Sequence, residues 1–348
     1  MKQHQESDGS ATNVQAGGDI VISKGLSAIE VREIALDVFH RNFLELRGVA
    51  EDVARGRAEK ITGDFLAQLE ARTPEALPNV ADPDVQRSVF NAQREYACSG
   101  DEDLESALVD LLVDRVSREN RDTQTLALNE AINAAPKLTI EQRQAIAVCF
   151  IVRYTRFTGD PTLEGFFETY IKGNLLPLAS GIPTSQTAYQ HIEYVGAGTV
   201  GMGQVRAAKA IMHGSEGWFN KGFKRDDVPE TLASVADDGR VFKPCLRDKC
   251  RLQLSAMHPS DMAALAELAG GTELESDLKR LLDTGAMSES EVHEDLLHRV
   301  PEAQEFVNAW DGSALRHLTL TSVGLAIGYG YWRRTTGNNT PLSTWIED

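Results

Sequence analysis

From Ser27 onward the apolar positions recur at helical spacing. Ile34 and Val38, Val49 and Val53, then Ile61, Phe65 and Leu69 each stand four apart, the separation that puts side chains on one face of a helix. Ser27 followed by Glu30 predicts a capping box at the start. No proline interrupts the stretch before Arg72. An unbroken helix there would be about 65 Å long, so the pattern predicts a long helix folded into a bundle. Gly48, Gly56 and Gly63 are the places where it could bend or let another helix approach. Asp82-Pro83 predicts the next start, with proline at the first helical position. Further helices are expected over 101–119, 122–134 and 139–157, then from Asp160-Pro161 and from Thr184. From Gly196 to about Met257 the text is glycine-rich and irregular, with short strands expected at "GRVF" and "RLQLSA". Thr272 with Glu275, and Ser288 with Glu291, predict two more capping boxes in a helical C-terminal part.

One stretch departs from this rhythm. "TNVQAGGDIVIS", residues 12–23, alternates polar and aliphatic residues around Gly17-Gly18. It predicts a two-residue hairpin pairing Val14 with Val21, Gln15 with Ile20 and Asn13 with Ile22. A lone hairpin has too little apolar face to be stable in water. Its open edges must therefore dock on the body or recruit other chains. Stacked copies would align Asn13 and Gln15 in amide ladders between aliphatic contacts. Asn13, Val14, Gln15, Gly17, Ile20 and Ile22 are the candidate assembly residues. The expected class is mainly α: bundle-like helical domains, a short N-terminal β-hairpin and an irregular glycine-rich segment. The expected division is 1–25 (polar head and hairpin), 26–180 (helical), 181–257 (irregular) and 258–348 (helical).

Composition narrows the function classes. The chain has 348 residues, 42% of them hydrophobic and 25% charged, ordinary for a globular protein. A net charge of −17 opposes nucleic acid and acidic membrane surfaces, so no nucleic-acid partner is expected. Cys98, Cys149, Cys245 and Cys250 form no disulfide framework, which suggests a reducing cytoplasm. The single C-x4-C pair lacks the second pair that a structural zinc site wants, and no metal is expected. The polar head "MKQHQESDGSAT" has no apolar centre of the signal-peptide kind. The longest apolar run, Leu318 to Trp332, is about 15 residues, short of the roughly 20 that span a bilayer. It is expected to be packed inside the protein, with Thr321 as cap and Gly324 and Gly328 allowing close helix approach.

Candidate chemistry is sparse. Gly196, Gly198 and Gly201 satisfy G-x-G-x-x-G. A dinucleotide site needs a buried strand before that motif, and a further strand with an acid about 20 residues on. "SQTAYQHIEY" reads instead as a capped helix, so a structural loop without a cofactor is expected. The segment "RVFKPCLRDKCR" gathers Arg240, Lys243, Arg247, Lys249 and Arg251, of which Lys243, Arg247, Lys249 and Arg251 are candidates for holding an anion. His293 and His298 stand five apart and do not share a helix face. Cys98 lies among carboxylates, which disfavour a thiolate.

Two resemblances bear on function. Val14–Gly17, "VQAG", resembles the V-Q-x-G core of amyloid-signalling motifs in animal necroptosis adaptors and in bacterial immune receptor–effector pairs. Ala16 departs from the larger aliphatic usual in the animal pattern. More widely, Asn13–Ile20, "ALDVF" (Ala35–Phe39), Thr321–Gly328, Arg333–Gly337 and Trp345-Ile346 resemble an uncharacterised bacterial family of the kind seen on anti-phage conflict proteins. The resemblance implies a cytoplasmic protein of interaction or self-assembly, homo-oligomeric or bound to a partner protein through its N-terminal β element, in defence. The alternatives are a nucleotide binder or enzyme using the Gly196–Gly203 loop, and an effector that disturbs membranes through its C-terminal helix.

Overall fold

Residues 27–42 and 48–347 are described by the computed structural model. The candidate assembly residues Asn13, Val14, Gln15, Gly17, Ile20 and Ile22 lie outside them. The described chain is mainly α-helical. In order come α1 (Ala28–Asn42), α2 (Val49–Arg72), α3 (Pro83–Ser99), α4 (Glu102–Val116), α5 (Thr123–Ala134) and α6 (Ile140–Tyr154). Then follow α7 (Leu163–Gly165), a π-helix (Phe166–Leu175), α8 (Leu176–Ala179), α9 (Gln186–Tyr194), β1 (Gly198–Val200) and α10 (Ala207–Met212). The chain continues with β2 (Phe242–Pro244), β3 (Leu252–Leu254), α11 (Met262–Ala269), α12 (Glu275–Gly285), α13 (Glu289–Arg299), α14 (Ala303–Gly312), β4 (Leu318–Leu320) and α15 (Ser322–Thr336). The strands form two antiparallel pairs, β1 with β4 and β2 with β3.

Local chemistry explains most of the starts. Ser27 N–H donates to Glu30 Oε2 at 2.8 Å and Glu30 N–H returns to Ser27 Oγ, closing the expected box. Asp82 accepts from the amides of Asp84 and Val85. Asp101, Asp122 and Thr139 cap α4, α5 and α6 in the same way, and the Ser288–Glu291 box forms on α13.

Other expectations need correction. The long first helix is two helices: α1 ends at Asn42, and Gly48, at φ +63°, stands ahead of the first residue of α2, a positive φ that glycine adopts without strain; α1 packs against α2 and α3. The helix expected from Asp160-Pro161 starts after Thr162, whose Oγ1 accepts from Gly165 N–H. Ser185, not Thr184, caps α9. Thr272 and Glu275 form no box: Gly270 and Gly271 both take positive φ, which turns Thr272 into a 3-10 turn ahead of α12.

The main core runs from Val31 to Ile346 and joins α1–α6 to α13–α15, so packing crosses the expected boundary at residue 257. Within it α15 lies against α4, α5 and α6. A second, smaller core gathers Phe223, Val241, Phe242, Leu254, Met262 and Leu278 under the β2–β3 pair. The His258 ring ties the two regions, its nitrogens facing Gly214 O and, at 2.9 Å, Phe157 O. No helix among the described residues is long and apolar enough to cross a membrane.

Candidate functional site

The glycine motif folds as a strand at a helix exit. α9 ends at Tyr194, and Gly196 takes φ +83°. Gly198 then opens β1, paired with Leu320 of β4. A Cβ on Gly198 would stand 2.7 Å from Leu318 Cδ1 and 3.1 Å from Thr319 O. This glycine is needed because another strand presses on it. The segment after it, α10, has six residues and starts without a side-chain cap. Nearby, Tyr194 is 86% exposed and Met202 fully exposed.

The basic segment is spread over different jobs. Arg247 turns inward: both its terminal nitrogens meet Asp295 at 2.8 Å, and its Nε donates to Trp218 O at 2.9 Å. That fork clamps the loop between β2 and β3 onto α13. Burial alone would raise the Asp295 carboxyl, but the Arg247 hydrogen bonds and charge overcome it and hold it below the usual carboxylate range. Arg251 donates to Gly222 O at 3.2 Å, and Arg240 grips Asp238 at 2.6 Å. Lys243 is half-buried with its Nζ 3.0 Å from Met257 Sδ, and that burial, with Lys249 nearby, pulls its pKa down. Lys249 has no ion-pair partner among the described residues. The structure therefore does not converge Lys243, Arg247, Lys249 and Arg251 on one point. Cys245 is buried and donates weakly to Asn220 O, while Cys250 is exposed. Burial pushes the Cys149 thiol up to about 12, which keeps it inert.

Sequence reading missed a lattice of buried charge between α4 and α15. Arg333 reaches Asp114 at 2.6 Å and Asp110 at 3.3 Å. Arg72 reaches the same two carboxylates from α2 at 2.7 and 3.4 Å, and Arg334 meets Asp110 at 3.1 Å. A second node centres on Arg143, which bonds Asp101, Asp103, Leu138 O and Tyr331. The only sequence signal was the adjacent pair Arg333-Arg334 ending an otherwise apolar helix.

These carboxylates set the acid response. The Arg115 hydrogen bond, working against burial, holds Asp84 low. Asp101 is raised by burial but brought below the usual range by Arg143 and the amides it caps. The Arg118 hydrogen bond brings Asp122 to about 2. Lowered folded pKa values contribute stability that is present above the unfolded value, 3.8 for Asp, and lost as pH falls through the folded one. Asp110 and Glu105 go the other way, raised chiefly by burial; they take up a proton more readily in the folded state, which favours folding as pH falls toward 4. The expected result is a melting temperature that holds or rises slightly from pH 7 to about 5, then drops steeply between about 4 and 2. Calorimetry across that range checks it; a decline starting at pH 6 would contradict the assignment.

The model of one uncharacterised bacterial family matches residues 25–346, and the chain belongs to that family. No curated protein and no solved structure matches it.

Proposed function

We propose that this is an interaction and self-assembly protein of bacterial anti-phage defence, acting in the cytoplasm, whose helical body carries the N-terminal β segment as its contact element. The observation that carries the reading is where that segment stands. It ends at residue 23, the family match begins at residue 25, and α1 starts at its own Ser27–Glu30 cap. The first helix thus has a start signal that owes nothing to residues 12–23. Ile29, in the first turn of α1, is 72% exposed, an apolar side chain beside the attachment point. Asn13, Val14, Gln15, Gly17, Ile20 and Ile22 are the contact residues, joining copies of this chain, or a partner protein, by strand addition.

Light scattering and circular dichroism on the full chain, Val14→Asp and a deletion of residues 1–25 test this. The full chain is expected to assemble; the deletion should be the smaller species and keep its melting temperature within a few degrees. Val14→Asp sets a charge opposite Val21 and beside each stacked neighbour, and should weaken assembly likewise. If the deletion keeps the oligomeric state of the full chain, assembly through this segment is wrong. If it melts far lower, the segment is a docked part of the fold instead.

A further inference from the structure

The π-helix Phe166–Leu175 is ten residues long, whereas π geometry ordinarily occurs as single-turn bulges inside α-helices, frequently at functional sites. It forms one wall of a cavity of about 250 Å³. The end of α6 and the loop Arg156–Gly159 form the second wall, and the last turn of α15 the third. Cavities that take drug-sized ligands run from roughly 300 to 1,000 Å³, so this one suits a single small ring system.

Its chemistry is neutral. No carboxylate lines it. Its one cation, Arg156, is turned to Ser260 and to Asp261 at 3.1 Å. Phe157, Tyr170 and Trp332 line it with the small part of each ring that the neighbouring rings leave uncovered, each residue being 5–7% exposed, apolar surface for the rim of a flat ring. The hydroxyls of Tyr170, Thr155 and Thr336 donate to backbone oxygens within the protein, and Thr336 Oγ1 also accepts from Asn338 N–H. The Asn174 amide, on the π-helix, makes no side-chain hydrogen bond among the described residues. Asn338 uses its Oδ1 for Thr340, and its Nδ2 has no acceptor among them. Two amide groups without protein partners thus stand at the edge of a cavity whose one lining cation, Arg156, is held in an ion pair with Asp261.

We propose that this cavity binds an uncharged heteroaromatic ring with a donor and an acceptor side by side on its edge, a free nucleobase, with the Asn174 amide reading that edge. An asparagine amide presents one donor and one acceptor in a plane, matching such an edge with two hydrogen bonds. A phosphate would find no free cation here, so the unphosphorylated base binds better than its nucleotide. None of residues 12–23 is among the described residues that line the site, and its test does not depend on assembly.

Thermal shift and calorimetry with adenine, guanine, cytosine and uracil test this on the full chain. Matched nucleoside monophosphates and indole, a ring without the paired edge, complete the panel. At least one base, at about tenfold over its Kd, should raise the melting temperature by roughly 2–4 °C. Asn174→Leu changes a half-exposed side chain, so the unliganded melting temperature should hold, while affinity for that base falls at least tenfold, as on the order of 1.4 kcal/mol would produce. Asn174→Gln, which keeps the amide, should retain part of the binding. No shift with any base at millimolar concentration overturns the site. A monophosphate or indole binding as tightly as the base overturns the proposed chemistry, as does undiminished binding by Asn174→Leu.

Discussion

Arg143→Ala should lower the unfolding free energy by about 3 kcal/mol, the low end of what breaking a buried ion pair costs. The side chain is 1% exposed. It holds Asp101 Oδ2 at 2.6 Å, Asp103 Oδ2 at 2.9 Å and Leu138 O at 2.8 Å. Tyr331, whose phenol is pushed up chiefly by burial, donates to Asp103 beside it. Removing the guanidinium strands these acceptors next to one another in a poorly solvated place. The carboxylates keep some water, Asp101 at 37% and Asp103 at 23% exposure, which is why the low end applies. Arg143→Lys should recover only part of the loss, since a compact ammonium on a flexible stem lacks the planar fork that reaches Asp101, Asp103 and Leu138 O from separate nitrogens. Urea unfolding measures both variants. A loss below about 1 kcal/mol, the range of exposed pairs, would mean the node is solvated and contributes little.

Gly324→Ala should destabilise by about 1–3 kcal/mol, although alanine is favoured over glycine in a helix by about 1 kcal/mol. A Cβ there would stand 1.8 Å from Ala197 O, a backbone atom that also accepts from Thr321 N–H. Neither the helix nor the β1–β4 pair can move without disturbing the other. Gly328 is pressed similarly, with the Phe150 Cβ 2.5 Å away. Gly330, in the same helix, is the control: its nearest neighbour is Asp110 Cβ at 3.6 Å, an ordinary contact, so Gly330→Ala should be neutral or mildly stabilising. Thermal unfolding of the two variants side by side decides. Equal effects at Gly324 and Gly330 would remove close packing as the reason for the first.

The close approach at Gly324 also explains how α15 reaches the body. Small residues at 324 and 328 let its backbone sit on Ala197 and Phe150, and Arg333 and Arg334 then meet Asp110 and Asp114. Apolar contact and charge thus hold one helix at two ends. Trp332 and Trp345 add an edge-to-face ring pair at 5.3 Å, packed against Phe150 and Tyr329.

By itself the sequence determined the helical class and most helix starts. A cap is a local event: an Asp, Ser or Thr oxygen meets an amide two or three residues away, so Ser27, Asp82, Asp101, Thr139 and Ser288 could be read in place. It also determined that Leu318–Trp332 carries too little apolar length to span a bilayer, and that Gly324 and Gly328 lie four apart on one face. Gly48, Gly56 and Gly63 were equal candidates for a break; Gly56 and Gly63 stay inside α2, and only the packing of α1 against α2 and α3 singles out Gly48. Strand β1 was hidden because its partner, β4, is more than a hundred residues away. The fates of Arg247 and Arg143 were hidden for the same reason: charges crowded in sequence look solvated until another helix brings a carboxylate to each. The π-helix and its cavity belong wholly to the tertiary structure, since α6, α15 and the Arg156–Gly159 loop must meet before any wall exists. Short-range hydrogen bonding is written in neighbouring residues, whereas burial and pairing across the chain are decided only when the helices pack.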